Sequence, residues 1–135
     1  KKIEKIAVNI KILFIDKNSL RIFLKWENGK WTVPTFIHES SVISDSQTVI
    51  QSYGINDYKL IPIELYLSKD QGFAYGSYIC MTEKEFGANS GETYAWASIN
   101  DLPKNIHNGL KSTLQNKIIQ TKIDTIVAMS NTYEQ

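Results

Sequence analysis

The sequence has very little of what would cross-link a chain or anchor it in a membrane. Its 135 residues include a single cysteine, Cys80, so an intramolecular disulfide is excluded. That cysteine lies in an apolar run, which predicts a buried structural thiol and favours a reducing compartment. No stretch reaches the ~20 apolar residues that a membrane-spanning helix needs. We therefore expect a cytoplasmic protein that does not engage a membrane.

An excess of one charge is also missing. The chain has 15 Lys and Arg residues against 14 Asp and Glu residues, for a formal net charge of +1. This balance gives no general attraction to nucleic acid. The two histidines, His38 and His107, have no Cys, Asp or Glu at helical spacing, so no zinc site is expected. A glycine-rich phosphate loop is absent as well.

The composition that remains is that of an ordinary globular protein. Hydrophobic residues make up 42% of the chain and charged residues 21%, as in typical soluble domains. A chain of this length buries about two-thirds of its unfolded surface when it folds. We therefore expect residues 1–135 to form a single domain.

Alternating polarity predicts strands in the first part of the chain. Apolar residues at every second position predict a strand with one buried face over Ile6–Phe14. The same alternation over Leu20–Trp26 predicts a second strand, paired with the first as an antiparallel hairpin. Asn28-Gly29 predicts a turn with positive φ, and a short extended piece follows at Trp31–Val33.

The next segment predicts a loop and a short helix. Residues 35–44 are expected to form the loop. Ser44 and Gln47 fit a capping box, in which each side chain satisfies a backbone amide at the start of a helix. A helix of about nine residues should follow, held by tertiary packing because it is short. Gly54 is placed to end that helix in the left-handed conformation.

The second half of the chain predicts more strands and then a long helix. Tyr58–Leu67 predicts a strand with Leu65 and its alternate apolar neighbours on one face, and Pro62 predicts an edge position or a bulge. Two further strands, Phe73–Thr82 and Thr93–Ala97, flank a polar loop. Apolar residues at helical spacing then predict one long helix from residue 104 onward. The fold class is therefore α+β, a mixed or antiparallel sheet between a short helix and a long C-terminal helix.

Several short motifs resemble the Nudix (MutT-like) family, over roughly residues 6–119. Gly29–Pro34 looks like the glycine, tryptophan and proline motif that opens the Nudix loop, and Tyr53–Ile55 looks like the end of the Nudix helix. Glu92–Trp96, followed by Asp101–Pro103, resembles the late strand and turn of the family. The resemblance implies a Nudix-like fold, which in this family supports metal-dependent hydrolysis of nucleoside diphosphate-linked compounds.

The metal-binding box of that family is degenerate and shortened in this sequence. Counted back from Gly54, the positions where the family has helix carboxylates hold Thr48, Gln51 and Ser52. Phe36 stands at the second position of the family's double glycine. Neutral side chains compensate poorly for the dehydration of Mg²⁺ and do not supply its carboxylate ligands. The box should therefore hold no metal.

Three functions stay open. The first is a Nudix-fold protein that has lost metal-dependent pyrophosphohydrolase activity and binds a nucleotide-like molecule or a protein, without a cofactor. The second is a divergent Nudix hydrolase of nucleoside diphosphate-linked substrates, which uses carboxylates outside the box together with Mg²⁺ or Mn²⁺. The third is an α+β binding domain unrelated to the Nudix family.

The candidate residues follow from the first two hypotheses. If the protein is active, the catalytic acids are the glutamates around the polar loop, since in some family members a loop glutamate is the base. These are Glu83, Glu85 and Glu92. The alternative is a solvated loop in which Glu92 orients the Nudix-like loop through hydrogen bonds. The expected ligand-binding residues are Lys25, Trp31, Phe36, Glu39, Thr48, Gln51 and Ser52.

Overall fold

The computed structural model describes residues 7–37, 42–68, 70 and 72–132. This part of the chain forms seven strands and three helices. In chain order they are β1 (Ala7–Asp16), β2 (Arg21–Glu27), β3 (Lys30–Thr32), β4 (Thr35–Ile37), α1 (Val42–Ser52), β5 (Leu60–Ser68), β6 (Phe73–Thr82), β7 (Tyr94–Ser98), α2 (Asn108–Gln115) and α3 (Lys117–Thr132).

One mixed sheet contains all seven strands, and β1 and β6 form its centre. These two strands run parallel and pair over their whole length, from Ala7 opposite Phe73 to Asp16 opposite Thr82. The strand order is β3-β2-β1-β6-β5, with β4 also paired to β1 and β7 to β2. The β1–β2 hairpin is antiparallel, as predicted. The α+β class with a mixed sheet is therefore confirmed.

The prediction that the first strand buries only one face is wrong. Ile12 and Phe14 pack on the side of the sheet that α1 covers. Leu13 and Ile15 pack on the other side, under α2 and α3. All four side chains are fully buried. A central strand covered by helices on both sides carries apolar residues on both faces, so alternation alone misses its position.

The segment between β3 and β5 differs from its prediction in two ways. Residues 35–44 are not all loop, because Thr35–Ile37 forms β4 and pairs with β1. The helix α1 already begins at Val42, so Ser44 lies inside it and the predicted capping box is wrong. Gly54 has φ of 81°, as predicted for the residue that ends this helix. Its amide donates to the carbonyl of Gln51 at 2.9 Å.

Strand β5 lies at the sheet edge and has a bulge between Pro62 and Glu64, as the proline predicted. The apolar face predicted for this strand is buried only in part. Ile63 is 3% exposed, whereas Leu65 is 79% exposed. The bulge interrupts the alternation at this point, and α3 reaches the strand at Ile63, whose carbonyl accepts from Lys122 Nζ at 3.0 Å.

The predicted single C-terminal helix is two helices. Asn116 separates α2 from α3 with extended backbone angles of −70° and 125°. Its side-chain Oδ1 accepts from the amide of Ile118 at 2.9 Å and of Ile119 at 3.3 Å, which caps the start of α3. The first helix also starts later than predicted, at Asn108. Of the helices described, none has the length and apolar character that crossing a membrane requires.

Candidate functional site

The exposed side of α1 carries neutral polar groups. Thr48, Gln51 and Ser52 are all exposed. The Ser52 hydroxyl donates to the carbonyl of Val49 at 2.6 Å and lies 3.3 Å from the side-chain amide nitrogen of Asn89. This face can form hydrogen bonds, but these positions do not provide the carboxylates that hold a divalent metal.

Glu92 links the 83–93 loop to the end of α1. Its Oε1 accepts a hydrogen bond from the Tyr53 hydroxyl at 3.2 Å and from the Asn89 amide at 3.0 Å. Lys25 Nζ lies 3.6 Å from Oε2 of Glu92 and 2.9 Å from a carboxylate oxygen of Glu27. These contacts suit a carboxylate that orients the loop.

Tyr53 is held in its neutral form. Burial raises the pKa of its phenol well above the ordinary range, and the negative charge of Glu92, its hydrogen bond and the charge of Glu27 raise the pKa further. The hydroxyl is therefore a permanent donor toward Glu92 near neutral pH.

The other two candidate glutamates bind different partners. Glu83 forms an ion pair with Lys17 at 2.6 Å, and its side chain is mostly exposed. Glu85 accepts from both Nε and Nη2 of Arg21 in a two-pronged contact. Within the described ranges, no three His, Cys, Asp or Glu residues are grouped so that they could hold a metal ion. The residues that the structure describes therefore do not fit a metal centre.

An aromatic side chain fills the space between these glutamates and the sheet. The Phe86 ring lies 5.2 Å from the ring of Phe14, 4.8 Å from Phe23 and 5.1 Å from Trp96, measured between ring centroids. Trp96 Nε1 donates to the Phe86 carbonyl at 2.9 Å and fixes the loop in place. The loop thus packs its own aromatic residue into the aromatic cluster on this side of the sheet.

The predicted ligand residues are only partly brought together. Lys25 and Ser52 are connected through Glu92 and Asn89. Phe36 packs against the aromatic cluster on the same side of the sheet. Trp31 packs against Trp26, with ring centroids 5.2 Å apart, and belongs to the core on the opposite side. Glu39 lies outside the described residues, as does His38.

A second polar region was missed by sequence reasoning. A cavity of about 410 Å³ opens near the start of β1 and of α2, a size typical of small-molecule sites. Among the side chains that line it are Lys11, Lys30, Thr35, Tyr75 and His107. We call this cavity the Lys11 pocket.

The basic groups of the Lys11 pocket are electrostatically strained. Lys11 is 9% exposed, and its Nζ lies 5.1 Å from the ring centroid of Tyr75. Burial lowers the pKa of Lys11, while the charge of Glu64 acts in the opposite direction. Burial also lowers the pKa of His107, followed by repulsion from Lys11 and Lys30. Both shifts make the protonated forms of Lys11 and His107 less favourable than they are in water.

The sequence signal for this pocket was the lysine inside the first strand. Lys11 interrupts the apolar run from Ile10 to Ile15 and looks like a solvent-facing residue if only one face of the strand is buried. Once β1 is known to be central, the same lysine is a buried charge. A buried charge without a partner is costly, which marks it as a candidate for function.

Comparisons with known proteins identify the fold. No protein-family model matches the chain, and no curated protein does. A mutT/nudix family protein from Listeria innocua matches with a TM-score of 0.64 and 11% identity, over 91% of this chain and 97% of its own. A NUDIX-family hydrolase from Clostridium perfringens matches with a TM-score of 0.62 and 14% identity, over 90% and 99%. The chain has the Nudix fold.

A third similar structure comes from a complex of two proteins. The C-terminal domain of mouse MUTYH, solved in complex with human PCNA, matches with a TM-score of 0.61 and 11% identity, over 90% of each chain. Identities this low concern the fold alone. Thr48, Gln51 and Ser52, which the sequence resemblance assigns to the box positions, all lie on α1.

Proposed function

We propose that this chain is a Nudix-fold binding domain that takes a nucleotide-like small molecule and does not perform metal-dependent pyrophosphate hydrolysis. The observation that carries the proposal is the exposed face of α1, where Thr48, Gln51 and Ser52 stand in place of carboxylates. Mg²⁺ at phosphate sites is held by carboxylate oxygens, and hydroxyl and amide groups do not replace them well. No resident cofactor is part of this proposal.

The placement of the loop glutamates supports the same proposal. Glu83 and Glu85 are engaged by Lys17 and Arg21, and Glu92 holds the loop against Tyr53. Each carboxylate has a structural partner of its own, so the three do not form one acidic centre. The similar structures include hydrolases, so analogy with them alone would predict hydrolysis. The proposal departs from that analogy in the loss of activity.

A hydrolysis panel tests the proposal directly. Nucleoside triphosphates and nucleotide sugars are incubated with the protein and Mg²⁺ or Mn²⁺, and released phosphate and pyrophosphate are measured. We expect no release above the buffer rate. In parallel, thermal unfolding is followed with the same compounds in EDTA, where we expect at least one to raise the unfolding temperature. Robust metal-dependent turnover would overturn the proposal.

A divergent hydrolase is the second candidate, favoured by the position of Glu92. This carboxylate lies at the end of α1, within 3.6 Å of a lysine that could contact phosphate. Such an enzyme requires a metal that Glu92 helps to bind or a water that it activates. If the panel shows turnover, Glu92→Gln should abolish it, whereas Glu83→Gln, which alters only an exposed ion pair, should not.

A protein partner is the other form of the binding proposal. Its support is the likeness to the MUTYH domain, which is solved in complex with another protein.

A cytoplasmic location is proposed on the state of Cys80, which is buried and unpaired. Burial raises the pKa of its thiol to about 12, so the group is inert at neutral pH. Neither nucleic acid nor a membrane is part of the proposal.

A further inference from the structure

The ammonium group of Lys11 has unused hydrogen-bonding capacity in a largely buried place. Lys11 shares the sheet face of Leu13 and Ile15, which is the face that α2 and α3 cover. Among the residues described, none accepts a hydrogen bond from Lys11 Nζ or lies within ion-pair distance of it; its close neighbour is the Tyr75 ring. An ammonium has three donors, and those of Lys11 face the pocket rather than an acceptor among the described residues.

Two more basic groups converge on the same space. Lys30 and His107 line the pocket together with Lys11. A Cβ built on Gly109 would lie 3.4 Å from Lys11 Nζ and 3.1 Å from His107 Cε1, so both groups border one small volume. His107 Nδ1 accepts from the Leu110 amide at 3.3 Å, which assigns the proton of the neutral ring to Nε2. The histidine can therefore cap α2 and still donate.

The acidic residues nearby do not cancel this charge. Glu27 lines the pocket but forms an ion pair with Lys25 at 2.9 Å. Glu64 is close enough to favour the Lys11 ammonium, and its Oε2 accepts from the Thr113 hydroxyl at 2.8 Å. Neither carboxylate forms an ion pair with Lys11, so the ammonium keeps its donors for a ligand.

A neighbouring hydroxyl shows the same unmet capacity. Ser77 stands opposite Lys11 in the β1–β6 pairing. Its side-chain oxygen is buried and has no hydrogen-bond partner in the described ranges. The hydrogen-bonding capacity of Lys11 and Ser77 is therefore not fully used by the residues that the structure describes.

We infer that the Lys11 pocket binds the phosphate group of a small phosphorylated ligand, without a metal ion. Lys11 and Lys30 supply the charge, and His107 supplies a further donor. This inference rests on the proposed binding function and adds the place and the chemistry of recognition. Basic side chains contact the anion directly, on the sheet face opposite α1. Charge-assisted hydrogen bonds to phosphate are among the stronger polar contacts in proteins.

Calorimetric titration in EDTA tests the inference with four probes: inorganic phosphate, pyrophosphate, AMP and ADP. We expect at least one to bind wild-type protein, and Lys11→Met to weaken that binding by ~10-fold or more, since a charged hydrogen bond is lost. Methionine keeps the length of the side chain and removes the buried charge. His107→Asn should weaken binding less, because asparagine retains the capping function. The matched control, Lys111→Met, removes an exposed lysine of α2 and should bind like wild type.

The outcomes separate this inference from the proposed function. Binding that persists in Lys11→Met but is lost in Lys25→Met would place the ligand beside α1, overturning the inference and leaving the binding function intact. Failure of all four probes to bind wild-type protein would also overturn the inference. Metal-dependent hydrolysis, measured separately, would overturn the proposed function whichever variant binds.

Discussion

At the residue scale, Lys11 carries an energetic cost that the fold has to offset. Its side chain is mostly buried within the central strand, and its ammonium rests over Tyr75 rather than in an ion pair. A cation–π contact of this kind contributes about 0.5–2 kcal/mol. This contact offsets only part of the cost of partly removing an ammonium from water, which reaches several kcal/mol for a fully buried ion. A residue that lowers stability in this way is expected to have a role in ligand binding rather than in stabilising the fold.

Substitution of this lysine should stabilise the protein. We expect Lys11→Met to raise the free energy of unfolding at pH 7 by about 1–3 kcal/mol, because the methionine avoids the desolvation of a charge. The pKa of Lys11 is lowered in the folded state. The unfolded chain therefore holds more protons between that pKa and 10.5, and wild-type stability gains with rising pH in this window.

Urea unfolding of both proteins from pH 7 to pH 10 is the measurement. The difference between Lys11→Met and wild type should shrink as the pH rises, since the wild-type ammonium loses its proton. A difference that stays constant over this range would contradict the assignment of the cost to the charge. Lys111→Met, on the exposed side of α2, should show no difference at any pH.

Individual residues also show where sequence reasoning stops. The positions of Thr48, Gln51 and Ser52 on an exposed helix face followed from counting back from Gly54, because local spacing fixes a helix face. The partners of Glu83 and Glu85 did not follow, because Lys17 and Arg21 are more than sixty positions away in the chain. Lys11 was missed for the same reason, since its burial depends on strands and helices remote in sequence.

At the element scale, Asn116 decides whether the end of the chain is one helix or two. The apolar spacing continues across it, and this led to the prediction of a single long helix. The side chain competes with the helical backbone by accepting from the amides of Ile118 and Ile119. The sequence therefore contained a signal for the break, an asparagine between two helical stretches. In the prediction, the continuous apolar periodicity outweighed it.

Removal of this cap should weaken α3. We expect Asn116→Ala to lower the free energy of unfolding by about 1 kcal/mol, because two amides at the helix start lose their acceptor. Asn116→Asp is the matched control and should cost much less, since aspartate also caps well. Thermal unfolding followed by circular dichroism measures both. Equal losses in the two variants would mean that the cap is not the source of the effect.

Strand β5 is the element whose exposed end is least typical of a sheet edge. Leu65, Tyr66 and Leu67 are all exposed there. Natural edge strands usually carry charge or proline at such positions to avoid pairing with other chains. Pro62 and the bulge that follows it lie near the N-terminal end of β5 instead.

A charge at this edge should reduce self-association at little cost in stability. We expect Leu65→Lys to change the free energy of unfolding by less than about 0.5 kcal/mol, because the side chain buries almost nothing. Static light scattering during slow heating should show later aggregation than in wild type. Ile63→Lys, two positions away in the core, should instead destabilise the protein severely. A large loss of stability in Leu65→Lys would show that the edge is covered in solution.

At the scale of the whole molecule, the order of the longer strands and the first hairpin were predictable, whereas pairing between strands distant in sequence was not. Local patterns predicted the β1–β2 hairpin and the turn at Asn28 and Gly29, which have φ of 53° and 77°. The sheet class came from the order of elements and from the resemblance. The parallel pairing of β1 with β6 left no local signature. Lys11 was a local signal for its pocket, but the pocket itself needs β1, β3 and the start of α2 together. A site assembled from distant segments is visible only after the fold is known.

The parallel pairing of β1 with β6 also determines when the centre of the sheet can form during synthesis. Ala7 cannot find Phe73 until the chain between them exists, and synthesis of that stretch takes on the order of 3–13 s at ~5–20 residues per second. The antiparallel partners β2 and β4 both precede residue 38, so one edge of β1 can pair early while the edge that faces β6 waits. Non-local parallel pairing is also slow in its own right. During synthesis, the apolar strand β1 therefore stays paired along only one edge for several seconds. Binding of a chaperone to the unpaired strand would have its largest effect in this interval.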